Sequence, residues 1–120
     1  MNIQILEQRD NKFALIRSNG IVLNNADDAL DILGNSDYQG ASRIIIHEEN
    51  INPAFFDLKT RIAGEILQKF STYRKHLAIV GNFSKFKSKS LQDFIRESNR
   101  TGRIYFTETV EQAIEKLNRR

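Results

Sequence analysis

The chain has 120 residues, with 18 Lys and Arg against 15 Asp and Glu, a net charge of +3, and no cysteine. That length is about one domain with a real core, and the missing cysteine excludes a disulfide framework and a thiolate metal site. Apolar runs of only a few residues exclude a membrane-spanning helix.

Met1-Asn2-Ile3-Gln4-Ile5 has neither the basic nor the apolar region of a signal peptide, so a soluble chain of the reducing cytoplasm is expected. Residues 1–58 hold four Lys and Arg against nine Asp and Glu, a balance of −5, while residues 59–120 hold fourteen against six, a balance of +8. Such polarity fits an anionic partner or head-to-tail association. The spread of the basic residues, which are not packed into one run, favours ordinary solvated surface charge.

In chain order, Ile3 and Ile5 alternate with Asn2 and Gln4, and Phe13 and Leu15 with Lys12 and Ala14. Both segments read as half-buried strands. The polar Gln8-Arg9-Asp10-Asn11 between them makes a hairpin. Ile21-Val22-Leu23 reads as a short third strand after Ser18-Asn19-Gly20.

Asn24 or Asn25 then caps a helix, with Asp27 and Asp28 in its first turn, where the helix dipole favours anions. Its apolar stripe is Ala26, Ala29, Leu30 and Leu33, and Gly34 reads as its stop. Arg43-Ile44-Ile45-Ile46-His47 is a strand whose three isoleucines predict burial on both faces, as in a parallel sheet.

Asn52-Pro53 is a cap followed by proline at a first helical position, which starts a short helical turn. A long helix follows, with Leu58, Ile62, Ala63, Ile66, Leu67, Phe70 and Tyr73 at spacings of three and four. Gly64 inside it costs about 1 kcal/mol relative to alanine, and close approach of the helix to the sheet is the expected compensation. The helix feeds the apolar strand Leu77-Ala78-Ile79-Val80-Gly81.

Next come a polar, basic loop over residues 82–89 and a helix capped by Ser88 or Ser90, with Leu91, Phe94 and Ile95 as its stripe and Asn99-Arg100-Thr101-Gly102 as its end. Ile104-Tyr105-Phe106 is the last strand. Thr109 and Gln112 form a capping box for a final helix carrying Val110, Ala113, Ile114 and Leu117.

The expected fold is therefore one α/β domain over residues 1–120, a mixed sheet of five or six strands with about four helices. An antiparallel N-terminal hairpin is followed by right-handed parallel βαβ units. Ligands of such sheets sit beyond the carboxyl ends of the strands, which here carry the loops starting near Glu48, Asn82 and Thr107.

No G-x-G-x-x-G, G-x-x-x-x-G-K-[ST] or G-x-S-x-G motif occurs. His47 ends a buried strand beside Glu48 and Glu49, a setting for metal or acid–base work or simply a surface histidine. His76, in Tyr73-Arg74-Lys75-His76, reads as a cation at a helix C-terminus. Asp57 is placed to orient Thr60 or hold a partner's cation, or else to cap the long helix. Glu65 and Lys69 are a surface pair four residues apart.

Ser84-Lys85-Phe86-Lys87-Ser88-Lys89-Ser90 sets lysines and an aromatic ahead of a helix N-terminus, where anions are attracted. A nucleic-acid surface would add Arg96, Arg100 and Arg103, with Phe86 for stacking. No RNA- or DNA-binding motif accompanies them, and the expectation is against nucleic acid.

The segments covering residues 55–70, 77–84 and 88–99 closely resemble the signature of a bacterial family known as domain of unknown function 4180. They include Phe55-Phe56-Asp57-Leu58-Lys59-Thr60-Arg61-Ile62 and Leu77-Ala78-Ile79-Val80-Gly81-Asn82-Phe83-Ser84. That likeness implies no activity.

The layout also resembles the STAS-like fold, the sulfate-transporter and anti-sigma-factor-antagonist domain. There a strand leads through an Asp-Ser-Ser-Gly-type turn to a helix and then to an apolar strand ending in glycine. In STAS regulators a serine of that turn is phosphorylated and the domain binds protein partners. The corresponding turn here is Asp57-Leu58-Lys59-Thr60-Arg61, with Thr60 as its one hydroxyl and Arg61 where glycine is usual.

The resemblance implies a non-enzymatic interaction or regulatory domain with an unidentified protein partner. The alternative is a small-ligand or anion-binding protein with weak enzymatic activity at the same sheet edge. Candidate binding residues are Asp57, Thr60, Arg61, Asn82, Ser84, Lys85 and Lys89, with Thr60 as candidate phosphoacceptor; no catalytic residue, metal or cofactor is expected.

Overall fold

The computed structural model describes residues 1–102 and 104–119. Strands β1 (Asn2–Gln8) and β2 (Asn11–Arg17) form the expected hairpin, in unbroken antiparallel register from Asn2 opposite Arg17 to Gln8 opposite Asn11. Arg9 (φ 53°) and Asp10 (φ 66°) make its two-residue turn. Left-handed backbone at both central positions matches the twist of the strands they join.

Helix α1 (Ala26–Tyr38) starts at Asn25, whose side chain accepts from the Asp28 N–H at 2.9 Å. The stop expected at Gly34 does not occur. The helix runs through it and turns out at Gly40, whose φ of 83° suits glycine. Gly34 is exposed in mid-helix, and a Cβ there would meet nothing within 4 Å. Gly34→Ala is therefore expected to stabilise the fold by about 1 kcal/mol, a rise in Tm of roughly 4 °C by differential scanning calorimetry; an unchanged or lower Tm would contradict this account.

Strand β3 (Arg43–His47) leads into three short 3₁₀ turns, Glu48–Asn50, Pro53–Phe56 and Leu58–Thr60. Asn52 caps the second, as its Asn-Pro signature predicts. The long helix is shorter than its apolar spacing indicates: α2 spans Ile62–Thr72, and Leu58 lies in the preceding turn. The break is Arg61, in the left-handed region at φ 65°. Asp57 accordingly caps the Leu58–Thr60 turn, accepting from the Lys59 N–H at 3.2 Å, and not α2.

Tyr73 leaves the stripe to sit 55 % exposed at the end of α2. Gly64 is exposed, and a Cβ there would meet nothing within 4 Å, so close approach to the sheet does not explain it. Arg74 closes α2 at φ 56°, and the Lys75 N–H donates to the Phe70 carbonyl. His76 is thus not a helix-end cation; it opens strand β4 (His76–Val80), opposite Arg43.

Helix α3 (Lys89–Thr101) is capped by Ser88, strand β5 spans Ile104–Thr107, and α4 (Val110–Leu117) carries the Thr109–Gln112 capping box. The sheet order is β1-β2-β3-β4-β5, antiparallel in the hairpin and parallel thereafter. Residues 21–23 add no strand; Leu23 makes a single parallel bridge to Ile51, and the sheet has five strands. Ile44 lies opposite Leu77 and Ile46 opposite Ile79.

Each parallel crossover steps to the next strand in the same direction, so right-handedness places α1, α2 and α3 on one face. There Ala29, Leu33, Ile66, Phe70, Leu91 and Ile95 pack on Ala14, Ile16, Ile44, Ile46, Leu77, Ile79, Ile104 and Phe106. The other face, Phe13, Leu15, Ile45, Ala78, Val80 and Tyr105, is closed by Ala113 and Leu117 of α4. Because the strand order never reverses, the sheet has no switch-point crevice of the kind that holds ligands in doubly wound folds.

The two sheet edges differ. Asn99 of α3 clamps β5, its Oδ1 accepting from the Phe106 N–H at 2.8 Å and its Nδ2 donating to the Phe106 carbonyl at 3.3 Å. No such clamp lies on β1 among the described residues.

Candidate functional site

Strands β3, β4 and β5 release their loops at the carboxyl edge, where an open depression of about 720 Å³ lies between His47, Glu48, Glu49, Val80, Gly81, Asn82, Ser84, Lys85 and Glu108. Of the candidate residues, Asn82, Ser84 and Lys85 line it; Asp57, Thr60, Arg61 and Lys89 do not. The Asn82 side chain accepts from the N–H (3.3 Å) and hydroxyl (2.7 Å) of Ser84, so these two polar groups shape the Phe83–Lys85 3₁₀ turn. Gln92 holds the same loop from below, its Nε2 donating to the carbonyls of Phe83 (2.8 Å) and Phe86 (2.9 Å).

Lys85 is paired with Glu48 at 2.5 Å, and its ammonium lies 5.4 Å from the centre of the Phe86 ring. Glu48 lies directly over Gly81: a Cβ added there would fall 2.7 Å from the Glu48 Cβ. Nothing local in the sequence announces this contact between residues 33 positions apart. The glycine ending an apolar strand was its only signal. His47 and Glu49 are shared with a neighbouring depression of about 630 Å³ bordered by Arg17, Ser18, Asn19, Gly20 and Asn50. Among the described residues, no three His, Asp or Glu side chains are placed to hold a metal ion.

The segment over residues 57–61 adjoins this edge through aromatic rings. Phe56 stacks on Phe86 with centroids 4.9 Å apart and planes 14° from parallel, and it also meets Phe55 and Phe83. The stack joins the turn carrying Asp57, Lys59, Thr60 and Arg61 to the loop carrying Lys85 and Lys87. Lys59, Arg61 and Lys87 are exposed, and none has an ion-pair partner among the described residues.

Thr60 is exposed, but its hydroxyl is engaged. It lies 2.7 Å from the Ala54 carbonyl and 2.8 Å from that of Asp57, and it accepts from the Ile62 N–H at 3.3 Å. The left-handed Arg61 gives a physical reason why glycine would suit that position.

Lys89 turns onto its own helix, bonding Asp93 at 2.9 Å and, with Arg96, holding that carboxyl below its ordinary pKa. Arg96 and Arg100 are likewise paired, with Asp93 and Glu97. Arg100 holds the Glu97 carboxyl below its ordinary pKa and is itself raised by it. The envisaged nucleic-acid surface thus has two of its arginines neutralised and Phe86 stacked internally; Arg103 lies outside the described residues. No described helix is long and apolar enough to cross a membrane.

No curated protein and no solved structure matches the chain. A family profile described as Domain of unknown function (DUF4180) matches residues 8–117, nearly the whole length and every element from the hairpin turn to α4, and the chain belongs to that family.

Proposed function

We propose that the chain is a non-enzymatic interaction domain of STAS-like build that presents the carboxyl edge of its sheet to an acidic surface of a protein partner. The carrying observation is the Phe56–Phe86 stack, which joins two basic segments distant in sequence into one patch containing the exposed cations Lys59, Arg61 and Lys87. An N-terminal hairpin, parallel strands thereafter and a turn that leads from β3 into α2 support the STAS-like reading.

Thr60 is the proposed phosphoacceptor within that patch. A phosphate on its hydroxyl would displace the bonds to Ala54 and Asp57 that close the turn and set a dianion beside Arg61. A small anion has less support in the adjacent depression, where Glu48, Glu49 and Glu108 outnumber Lys85, itself already paired.

The test is affinity capture with the wild-type chain, Arg61→Glu and Arg61→Gly. Both variants are expected to lose the captured partner. Arg61→Gly should fold at least as stably as wild type, by up to about 1 kcal/mol, because glycine adopts the left-handed backbone without strain. An identical set of captured proteins for all three chains would rule out this surface.

A further inference from the structure

Edge strands template pairing with other chains, and proteins blunt them with shortness, proline, bulges, charge or a covering group. Strand β5 shows two of these devices: it is four residues long and is clamped by Asn99. Strand β1, at the opposite edge, shows none. It has seven residues, no proline and no break in register, and Glu7 is its single charge. Its apolar residues Ile3, Ile5 and Leu6 remain only half-buried although they border the core. Among the described residues, no group hydrogen-bonds to its outer backbone.

The residue pattern of β1 is complementary to itself in one register. Antiparallel pairing of two identical strands about a two-fold axis perpendicular to the sheet sets residues of equal parity opposite each other. With the axis at Gln4, Ile3 of each copy faces Ile5 of the other. Four half-exposed isoleucines then meet on the helix-covered face, Asn2 of each copy faces Leu6 of the other, and the pairing within β1 runs from Asn2 to Leu6, leaving Glu7 and Gln8 beyond it. Moving the axis to Ile5 sets Ile3 against Glu7, moving it to Leu6 sets Ile5 against Glu7, and moving it to Glu7 opposes two carboxylates. Each of these loses apolar pairing or adds repulsion.

We propose that the partner of this edge is a second copy of the chain, paired β1 to β1 with Gln4 on the two-fold axis, so that two five-stranded sheets become one. This dimer does not depend on the carboxyl-edge reading, because β1 lies three strands away from the β4 loop carrying the basic patch.

The chain contains no cysteine, so single-cysteine variants report self-pairing without background. Gln4 and Glu7 are both exposed, and either can be replaced without disturbing the core. In the proposed register, Gln4→Cys brings two Cα atoms to about 5 Å, within disulfide reach, whereas Glu7→Cys leaves its pair about 20 Å apart.

Mild oxidation followed by non-reducing electrophoresis should therefore give at least about tenfold more covalent dimer for Gln4→Cys than for Glu7→Cys. The unmodified chain should sediment as a dimer at the same concentration. Equal crosslinking at both positions, none at Gln4→Cys, or a wild-type chain that sediments as a monomer would each overturn the proposal.

Discussion

Phe56→Ala is expected to lower unfolding free energy by about 3–5 kcal/mol, a large share of the 5–15 kcal/mol available to an ordinary domain. Phe56 is only 6 % exposed and touches Phe55, Phe83 and Phe86. Truncation removes the buried area and leaves a cavity among rings held by different elements: Phe55 by the Pro53–Phe56 turn, Phe83 and Phe86 by the loop after β4. Phe56→Leu should recover most of the burial but not the ring–ring geometry, which is worth about 0.5–1.5 kcal/mol more. Urea unfolding of the two variants measures the difference. A loss below about 1 kcal/mol for Phe56→Ala would mean that the stack does not hold the two basic segments together.

Gly81→Ala should cost about 1–3 kcal/mol by overpacking, although it adds only a methyl group. The new Cβ would lie 2.6 Å from Glu48 Oε1, 2.7 Å from Glu48 Cβ and 3.3 Å from Phe83 Cζ. The carboxylate could swing aside, but the Glu48 Cβ is fixed to the backbone of the 3₁₀ turn Glu48–Asn50, so that turn or β4 must shift. The shift separates Glu48 from Lys85 and opens the carboxyl-edge depression. Adding Glu48→Ala to the Gly81→Ala chain removes the carboxylate contact but keeps the Cβ contact, and should restore only part of the loss. A thermally neutral Gly81→Ala would show that Glu48 does not pack on this glycine.

The elements legible along the chain are those governed by neighbouring residues. Asn25, Asn52, Ser88 and Thr109 each cap the element that follows them, because a cap is a hydrogen bond reaching two or three residues forward. The alternation in β1 and the isoleucine run of β3 likewise report burial by their period, whereas β2, expected to be half-buried, is buried on both faces from Phe13 to Ile16 because helices cover both sides of the sheet there.

The misreadings share one cause, which is that local pattern does not register what lies across the fold. Gly34 looks like a helix stop, yet the reversal waits until Gly40, where the chain must turn back toward β3. Leu58 and Ile62 keep helical spacing across Arg61, but a left-handed residue separates them into two elements. At the candidate site, residues 57–61 and 84–89 are visible as polar, basic segments, but the stack that unites them and the ion pairs that occupy Lys85 and Lys89 are not.

Composition, period and capping chemistry thus decide the kind and order of the main strands and helices and the mixed character of the sheet, since each depends on interactions within one turn or one strand. The tertiary structure alone decides that α4 closes the face opposite the other three helices, that Asn99 seals β5 while β1 stays open, and that Glu48 needs a glycine 33 residues away. These are contacts between surfaces that exist only once the elements have packed, and no window of sequence spans both partners.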